Sequence, residues 1–299
     1  MLLPTIRQLQ YLKLLAEQGA FGKAAEAAHV TQPTLSAGIQ ELERTLGAPV
    51  VDRARTGVIL TPVGEEALRR ATAILNEAEE LVEAAKNAGQ PLTGRFRLGV
   101  IPTIAPFLLP GALPLLRQRY PKLRLFLRED LTQRLIAQLK AGRLDAALIA
   151  LPFETAGLEW AHVADDELLA AMPADSPLAS AASAAPEALE RENLILLEDG
   201  HCLREHALSA CRLTPSRLGL GEEPFEATSL PTLVQMVGSG LGVTFLPQMA
   251  VEAGLAKVPN VAVRPIEAEH AAREIVVAWR AGSNRAAEGK LLAEVLKDV

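Results

Sequence analysis

The 299-residue chain is 49% apolar and 22% charged, which supports roughly two or three ordinary domains with real cores, and its net charge of −6 gives it no overall pull on nucleic acid. The opening MLLPTIRQLQYLKLL breaks its apolar residues with Arg7, Gln8, Gln10 and Lys13, unlike a signal peptide, and no apolar run approaches the ~18 residues of a membrane helix. A cytoplasmic chain with no membrane partner is therefore expected, and residues 1–60, with six Lys/Arg against five Asp/Glu, leave any case for DNA to a motif.

In chain order, Thr5 to Gln18 places Ile6, Leu9, Leu12 and Leu15 at helical spacing behind a Thr5 cap. Phe21 to Ala28 reads as a short helix whose alanines allow close approach, and His29-Val30 as a tight turn. The next helix starts at Thr31-Gln32-Pro33, with Thr31 as cap, Pro33 in the first turn and Leu35, Ile39, Leu42 and Leu46 as the buried stripe. Gln32, Thr34, Ser36 and Gln40 are then short polar groups on the exposed front of a helix that follows a helix and a turn. In helix-turn-helix geometry such a helix enters the major groove; Gln suits adenine edges, and Ser, Thr and helix amides suit phosphates. Arg53 and Arg55, ahead of Val58-Ile59-Leu60, read as a β wing on the DNA backbone. A purely structural three-helix bundle with a polar rim would show the same pattern.

Thr61 and Pro62 open a long helix whose apolar positions Leu68, Ala71, Leu75, Ala78, Val82 and Ala85 step by three and four, as in a coiled-coil seam. Leu68, Leu75 and Val82 are its expected dimerisation contacts, since nothing upstream looks large enough to cover the helix, and Asn87 to Gly94 is the hinge that ends it. From Arg95 strands alternate with helices: Phe96-Leu98-Val100, a helix over 107–120, Leu123-Leu125-Leu127, a helix over 132–141, and Ala146 to Leu151. This order predicts β-α-β units and a mainly parallel sheet, with ligands beyond the carboxyl ends of the strands, where Thr103 and Thr132 fall. A threonine at a helix start is also an ordinary cap. Further strands are expected over 158–175, 194–197, 243–247, 261–266 and 273–279, with helices over 228–238 and 286–297. The five histidines show no convincing metal spacing, so no metal and no cofactor is expected.

The only two cysteines, Cys202 and Cys211, lie nine residues apart in LLEDGHCLREHALSAC, behind an Asp199-Gly200 helix start. If residues 200–211 are helical, the sulfurs face opposite ways and sit roughly 13 Å apart along the axis, beyond the ~7 Å between Cα atoms that a disulfide tolerates. Joining them requires unwinding the segment. Cys202 in the first turn, flanked by His201 and Arg204, has help toward a thiolate, and Cys211 has none, so one reads as attacker and the other as resolver. Two inert, small apolar side chains remain the alternative.

Ala24-Ala25 through Thr31-Gln-Pro-Thr-Leu-Ser36, with Glu41-Leu-Glu43, Leu46-Gly47 and Arg53, resembles the winged helix-turn-helix of LysR-type transcriptional regulators, and the resemblance runs the length of the chain. Leu98-Gly-Val-Ile-Pro-Thr103, Leu108-Leu-Pro110, Leu197 to Arg204, Ala227 to Leu230 and Gly242 to Pro247 are similar to its hydrogen-peroxide-sensing members, as is the cysteine spacing. The resemblance implies an α/β protein with an N-terminal winged helix-turn-helix over 1–60 (Thr31, Gln32, Pro33, Thr34, Ser36, Gln40 and Arg53 on DNA) and a linker helix and hinge over 61–94. A two-lobed effector domain like a periplasmic binding protein would follow over 95–299, with lobe I about 95–163 and 268–299 and lobe II about 164–267. It implies Cys202 as the peroxidatic cysteine and Cys211 as the resolving one, with Thr103, Thr132, His201 and Arg273 around the peroxide and Arg273 stabilising the thiolate. Promoter DNA, RNA polymerase, a cellular thiol reductant and a homotetramer built from dimers are the implied partners; the chain is expected to be a regulator and not an enzyme. It departs from the pattern at Val50-Val51-Asp52-Arg53, at Glu205 and over His206 to Ala210. A regulator answering a small metabolite, with silent cysteines, is the alternative reading, and a thiol peroxidase would leave the first 90 residues without purpose.

Overall fold

The computed structural model describes residues 3–54, 57–86, 90–211, 226–268 and 271–299, and divides the chain into two compact units, Met1–Gln90 with Lys140–Arg143 and Pro91–Leu139 with Leu144–Val299.

In the first unit, α1 (Ile6–Gln18) begins with a reciprocal capping box. The Gln8 amide donates to Thr5 Oγ1 at 3.3 Å and the Gln8 side chain accepts from the Thr5 amide at 2.8 Å. α2 (Phe21–Ala27) ends in a turn where His29 takes φ 54°, and α3 (Gln32–Leu46) starts on the Thr31 cap. Leu35, Ile39 and Leu42 are buried in a core with Leu9, Leu12 and Leu15, but Leu46, on the last turn before the Gly47 cap, is exposed. β1 (Val51–Ala54) and β2 (Gly57–Leu60) form the antiparallel wing.

The long helix α4 (Pro62–Lys86) follows, with Thr61 Oγ1 accepting from the Gly64 amide at 3.0 Å. The expectation that nothing upstream could cover this helix is overturned over its first half. Ala71 and Leu75 are buried and Leu68 packs beside them in the core of α1 and α3, whereas Val82, like Leu81, is exposed. The physical reason is the size of the three-helix core, which has room for two turns of a fourth helix. The hinge residues 87–89 lie outside the described residues.

The second unit runs β3 (Gly94–Val100), α5 (Ala105–Arg119), β4 (Leu123–Glu129), α6 (Thr132–Lys140), β5 (Ala146–Leu151) and β6 (Leu158–Pro173). After a 3₁₀ turn at Pro177–Ser180 come α7 (Pro186–Leu189), β7 (Leu196–Leu197), α8 (Cys202–Ala210), β8 (Glu226–Ala227) and α9 (Leu230–Gly238). The chain finishes with β9 (Thr244–Pro247), α10 (Gln248–Glu252), β10 (Val261–Pro265), β11 (Ala272–Arg280) and α11 (Ala286–Leu296). The strand order is β10-β6-β11-β5-β3-β4, with β9 also on β6.

The sheet is mixed and not mainly parallel. β3 runs parallel to β4 and β5, but β11 is antiparallel to β5 and β6, and β6 is antiparallel to β9 and β10. A βαβ crossover enforces parallel pairing only where a helix intervenes; β5 passes to β6 through the short segment 152–157, and β11 returns from the far end of the chain. The strand expected over 158–175 is β6, one continuous strand. Its first half, to Glu167, pairs with β11, and its second half, from Leu168, pairs with β9 and β10.

Two lobes with separate cores result. One gathers β3, β5 and β11 against α5 and α11 and contains Cys202; the other gathers the second half of β6 with β9, α8 and α9 and contains Cys211.

Candidate functional site

β7 delivers the chain to Gly200, whose φ of 95° is readily adopted only without a Cβ, and the backbone turns there into α8. His201 is the N-cap, but its side chain makes no capping hydrogen bond. Asp199, expected to cap, is 92% exposed and pairs with Arg204 Nε at 3.3 Å, because the turn puts it outside the helix axis. The amides of the first turn, which begins at Cys202, are thus left free of side-chain caps.

Facing this helix start is a buried cation. Arg273 on β11 lies directly opposite Asp166 on β6 in the strand register, and its Nε donates to Asp166 Oδ2 at 2.9 Å. Its Nη1 donates to Thr103 Oγ1 at 2.7 Å and its Nη2 to the Thr103 carbonyl at 2.9 Å. Asp166 Oδ1 in turn accepts from the Met249 amide at 3.0 Å. The guanidinium side chain is fully enclosed and Asp166 nearly so, so the pair is stable only while each partner holds the other. Thr103 Oγ1 uses a lone pair on Arg273, and its own hydrogen has no acceptor among the described residues.

Burial pushes the Cys202 thiol above its ordinary value; the Thr132 hydroxyl and the Arg273 charge pull it down but do not win. Thr132 Oγ1 lies beside the sulfur yet makes no hydrogen bond of full geometry to any described residue, and a buried hydroxyl left so costs about 1–3 kcal/mol. Thr132 therefore does not cap α6. The expected positive neighbours differ from those found. Arg204 is spent on the Leu197 carbonyl (2.9 Å), on Glu226 (2.5 Å) and on Asp199. His201 is half-buried, and burial lowers its pKa against the opposing pull of Glu198, so the ring is neutral near pH 7. The cation acting on Cys202 is Arg273, which lies 71 positions later in the sequence. Cys202 rests as a thiol and not as a thiolate.

At the other end of α8, Cys211 is buried among Ala207, Leu208 and their neighbours, and burial alone pushes its thiol up to about 11. Both cysteines are free. With α8 intact, nine residues at about 1.5 Å each hold them roughly 13 Å apart along the axis.

The structure thus brings Thr103, Thr132, Arg273 and Cys202 together, sets His201 at the rim, and keeps Cys211 in a different core. Sequence reading missed Asp166, the middle acid of Asp165-Asp166-Glu167 in an expected strand, and found no role for His206 beyond a weak metal spacing. His206 is 5% exposed on the inner face of α8, with Nε2 2.8 Å from the Pro152 carbonyl. Among the described residues there is no cluster of three or more metal-ligating side chains, and no helix is long and apolar enough to cross a membrane.

In the first unit, Thr31, Gln32, Pro33, Thr34 and Gln40 are exposed on the front of α3 and Ser36 is half-buried beside them. The Thr31 and Thr34 hydroxyls are 2.8 Å apart, and the Thr34 amide donates to Thr31 Oγ1 at 3.4 Å. Arg53 sits on β1 opposite Val58; its side chain and all of Arg55 lie outside the described residues.

Residues 6–65 match the model of the bacterial regulatory helix-turn-helix protein, lysR family, and residues 89–299 match that of the LysR substrate binding domain. The chain is similar to the HTH-type transcriptional regulator EstR of Acinetobacter baylyi (40% identical over 299 residues, 99% of this chain and 97% of the relative). It is also similar to a hydrogen peroxide-inducible genes activator of Escherichia coli (38% identical, 98% of this chain and 94% of the relative). A solved structure of a full-length OxyR variant from Pseudomonas aeruginosa superposes with a TM-score of 0.78 at 36% identity, covering 99% of this chain and 98% of that one. An exposed polar recognition helix, a wing and a two-lobed α/β unit, matched over nearly every residue, place this chain in the LysR family of DNA-binding transcriptional regulators.

Proposed function

We propose that the protein is a peroxide-responsive regulator that senses its signal by closing a reversible disulfide between Cys202 and Cys211. The observation that carries the reading is a pair of free, buried thiols at the two ends of one intact helix, seated in separate cores. Cys202 stands where a peroxide would meet the unpartnered Thr132 hydroxyl, the spare Thr103 hydrogen and the Arg273 charge, with His201 at the rim. Attack of the Cys202 sulfur on one peroxide oxygen forms the S–O bond and breaks O–O, leaving a sulfenic acid and water. Condensation with the Cys211 thiol releases a second water and forms the S–S bond. That step requires α8 to unwind, which displaces Leu203 and Leu208 from the second core and rebuilds the surface of the regulatory unit.

In this reading residues 1–60 bind promoter DNA through Thr31, Gln32, Pro33, Thr34, Ser36, Gln40 and Arg53, residues 61–94 link and dimerise, and residues 95–299 regulate. Leu68 and Leu75 dimerise only as far as their intrachain packing leaves them free, so the exposed Val82 end of α4 carries more of the contact. A dimer of dimers engages RNA polymerase, and a cellular thiol reductant resets the bridge. Footprinting on promoter DNA with and without peroxide tests the whole. Cys202→Ser is expected to abolish the peroxide-induced change, and a normal response from that variant defeats the reading.

A second reading has one observation in its favour, a cleft of ≈ 720 Å³ lined by Phe153, Trp160, Asp165, Glu167 and Glu274, with Arg273 in its wall. A small cationic or aromatic metabolite would suit it. If peroxide leaves both thiols and the footprint untouched while such a ligand raises the melting temperature, the second reading replaces the first.

A further inference from the structure

The geometry points to His206 as the proton acceptor that activates Cys202, an assignment that rests on the peroxide-sensing reading and adds a working part to it. Cys202 and His206 are four residues apart on α8, which puts them on one face with Cβ atoms about 5–6 Å apart. Helical side chains lean toward the N-terminus, so the imidazole of His206 leans over the turn that begins at Cys202. Its Nε2 lies 2.8 Å from the Pro152 carbonyl. A carbonyl can only accept, so Nε2 carries a hydrogen, and in the neutral ring the basic lone pair is on Nδ1. Nδ1 is buried and has no hydrogen-bond partner among the described residues. The molecule therefore holds a base with a vacant lone pair one helical turn from a thiol that burial keeps protonated and shields from water.

The electrostatic surroundings agree. Arg273 from β11 and Glu205 from α8 act on both Cys202 and His206, so the two share one field. Burial, with Arg273 adding to it, lowers the His206 pKa, against the opposing pulls of the Pro152 carbonyl and Glu205. The ring is thus neutral, and able to accept, across the physiological range. His201, half-buried at the N-cap, is the other titratable neighbour.

The step balances. The Cys202 S–H proton moves to His206 Nδ1, the thiolate attacks one peroxide oxygen, O–O breaks, and the departing hydroxide takes the proton back from the imidazolium as water. The products are a sulfenic acid, water and neutral His206.

The test measures, in the full chain from pH 5 to 9, the rates at which hydrogen peroxide and methyl methanethiosulfonate modify Cys202, located by peptide mapping. His206→Gln keeps an amide donor for the Pro152 carbonyl but no base. It is expected to slow both reactions about 10²-fold near neutral pH and to replace the plateau above the imidazole range by a rate that rises about tenfold per pH unit throughout. A wild-type rate and profile in a folded His206→Gln chain overturns the assignment. So does a native chain whose rate tracks thiol ionisation alone, rising about tenfold per pH unit with no plateau above the imidazole range, a result that needs no variant. If methyl methanethiosulfonate shows the His206 dependence and peroxide modifies nothing, the proton acceptor stands and the peroxide reading falls.

Discussion

The two ends of α8 hold the same side chain in opposite company. At Cys202 a buried thiol meets a threonine hydroxyl and the charge of a guanidinium, whereas at Cys211 it meets alanine and leucine. Both thiols are pushed up by burial, but only the first has groups pulling back. Proximity to the helix start matters less than what crosses from other strands, because the charge that counts is on β11 and its counterion is on β6. What pulls the Cys202 thiol back down comes mainly from the tertiary contact and not from the cysteine's own segment.

The largest test of this contrast removes the cation. Arg273→Leu leaves Asp166 buried without its partner and is expected to cost about 3–5 kcal/mol in urea denaturation, together with a further rise in the Cys202 thiol. If stability and thiol reactivity both stay at the native level, the charge at this end is ornamental. Next is the apolar end. A thiol whose folded pKa is about 11 against an ordinary 9.0 binds its proton more tightly folded than unfolded, so it stabilises below pH 9 and that contribution is lost as pH rises through 11. Cys211→Ala is expected to remove about 2 kcal/mol of this alkaline loss, and an unchanged slope between pH 9 and 11 would mean that the thiol is not sealed. The same logic with the sign for a base applies to His206. Its lowered pKa means that stability falls as pH drops below about 6.5, and melting curves of His206→Gln should show a shallower acid slope than the native chain. Smallest is Asp199→Ala. The exposed pair with Arg204 is worth at most about 1 kcal/mol, and the modification rate of Cys202 is expected not to change; a tenfold slowing would show that the charges near in sequence do matter.

How much of this could be read from the chain follows the same divide. Periodicity and capping residues located α1, α3 and α4 within a residue or two, because Thr5, Thr31 and Thr61 each satisfy amides in their own helix. The Asp199-Gly200 start signal, with a helix supposed over 200–211, matches α8, and the nine-residue cysteine spacing then gives the separation of its ends. What escaped depends on partners distant in sequence. The burial of Leu68 and Leu75 depends on how large the upstream core becomes, and the mixed sheet depends on where β11 returns. The role of Asp166 is visible only once β6 and β11 are in register. His206 looked like one histidine among five; its significance lies in the Pro152 carbonyl, which arrives from the β5–β6 connection.

β6 gives its first half to one lobe and its second half to the other without a break. One continuous strand thus belongs to both lobes, and fraying it in either sheet loosens the strand on which the other is built. The regulatory unit should accordingly melt in one calorimetric transition with no half-folded species, and heat or denaturant should never unfold the core that holds Cys202 apart from the core that holds Cys211.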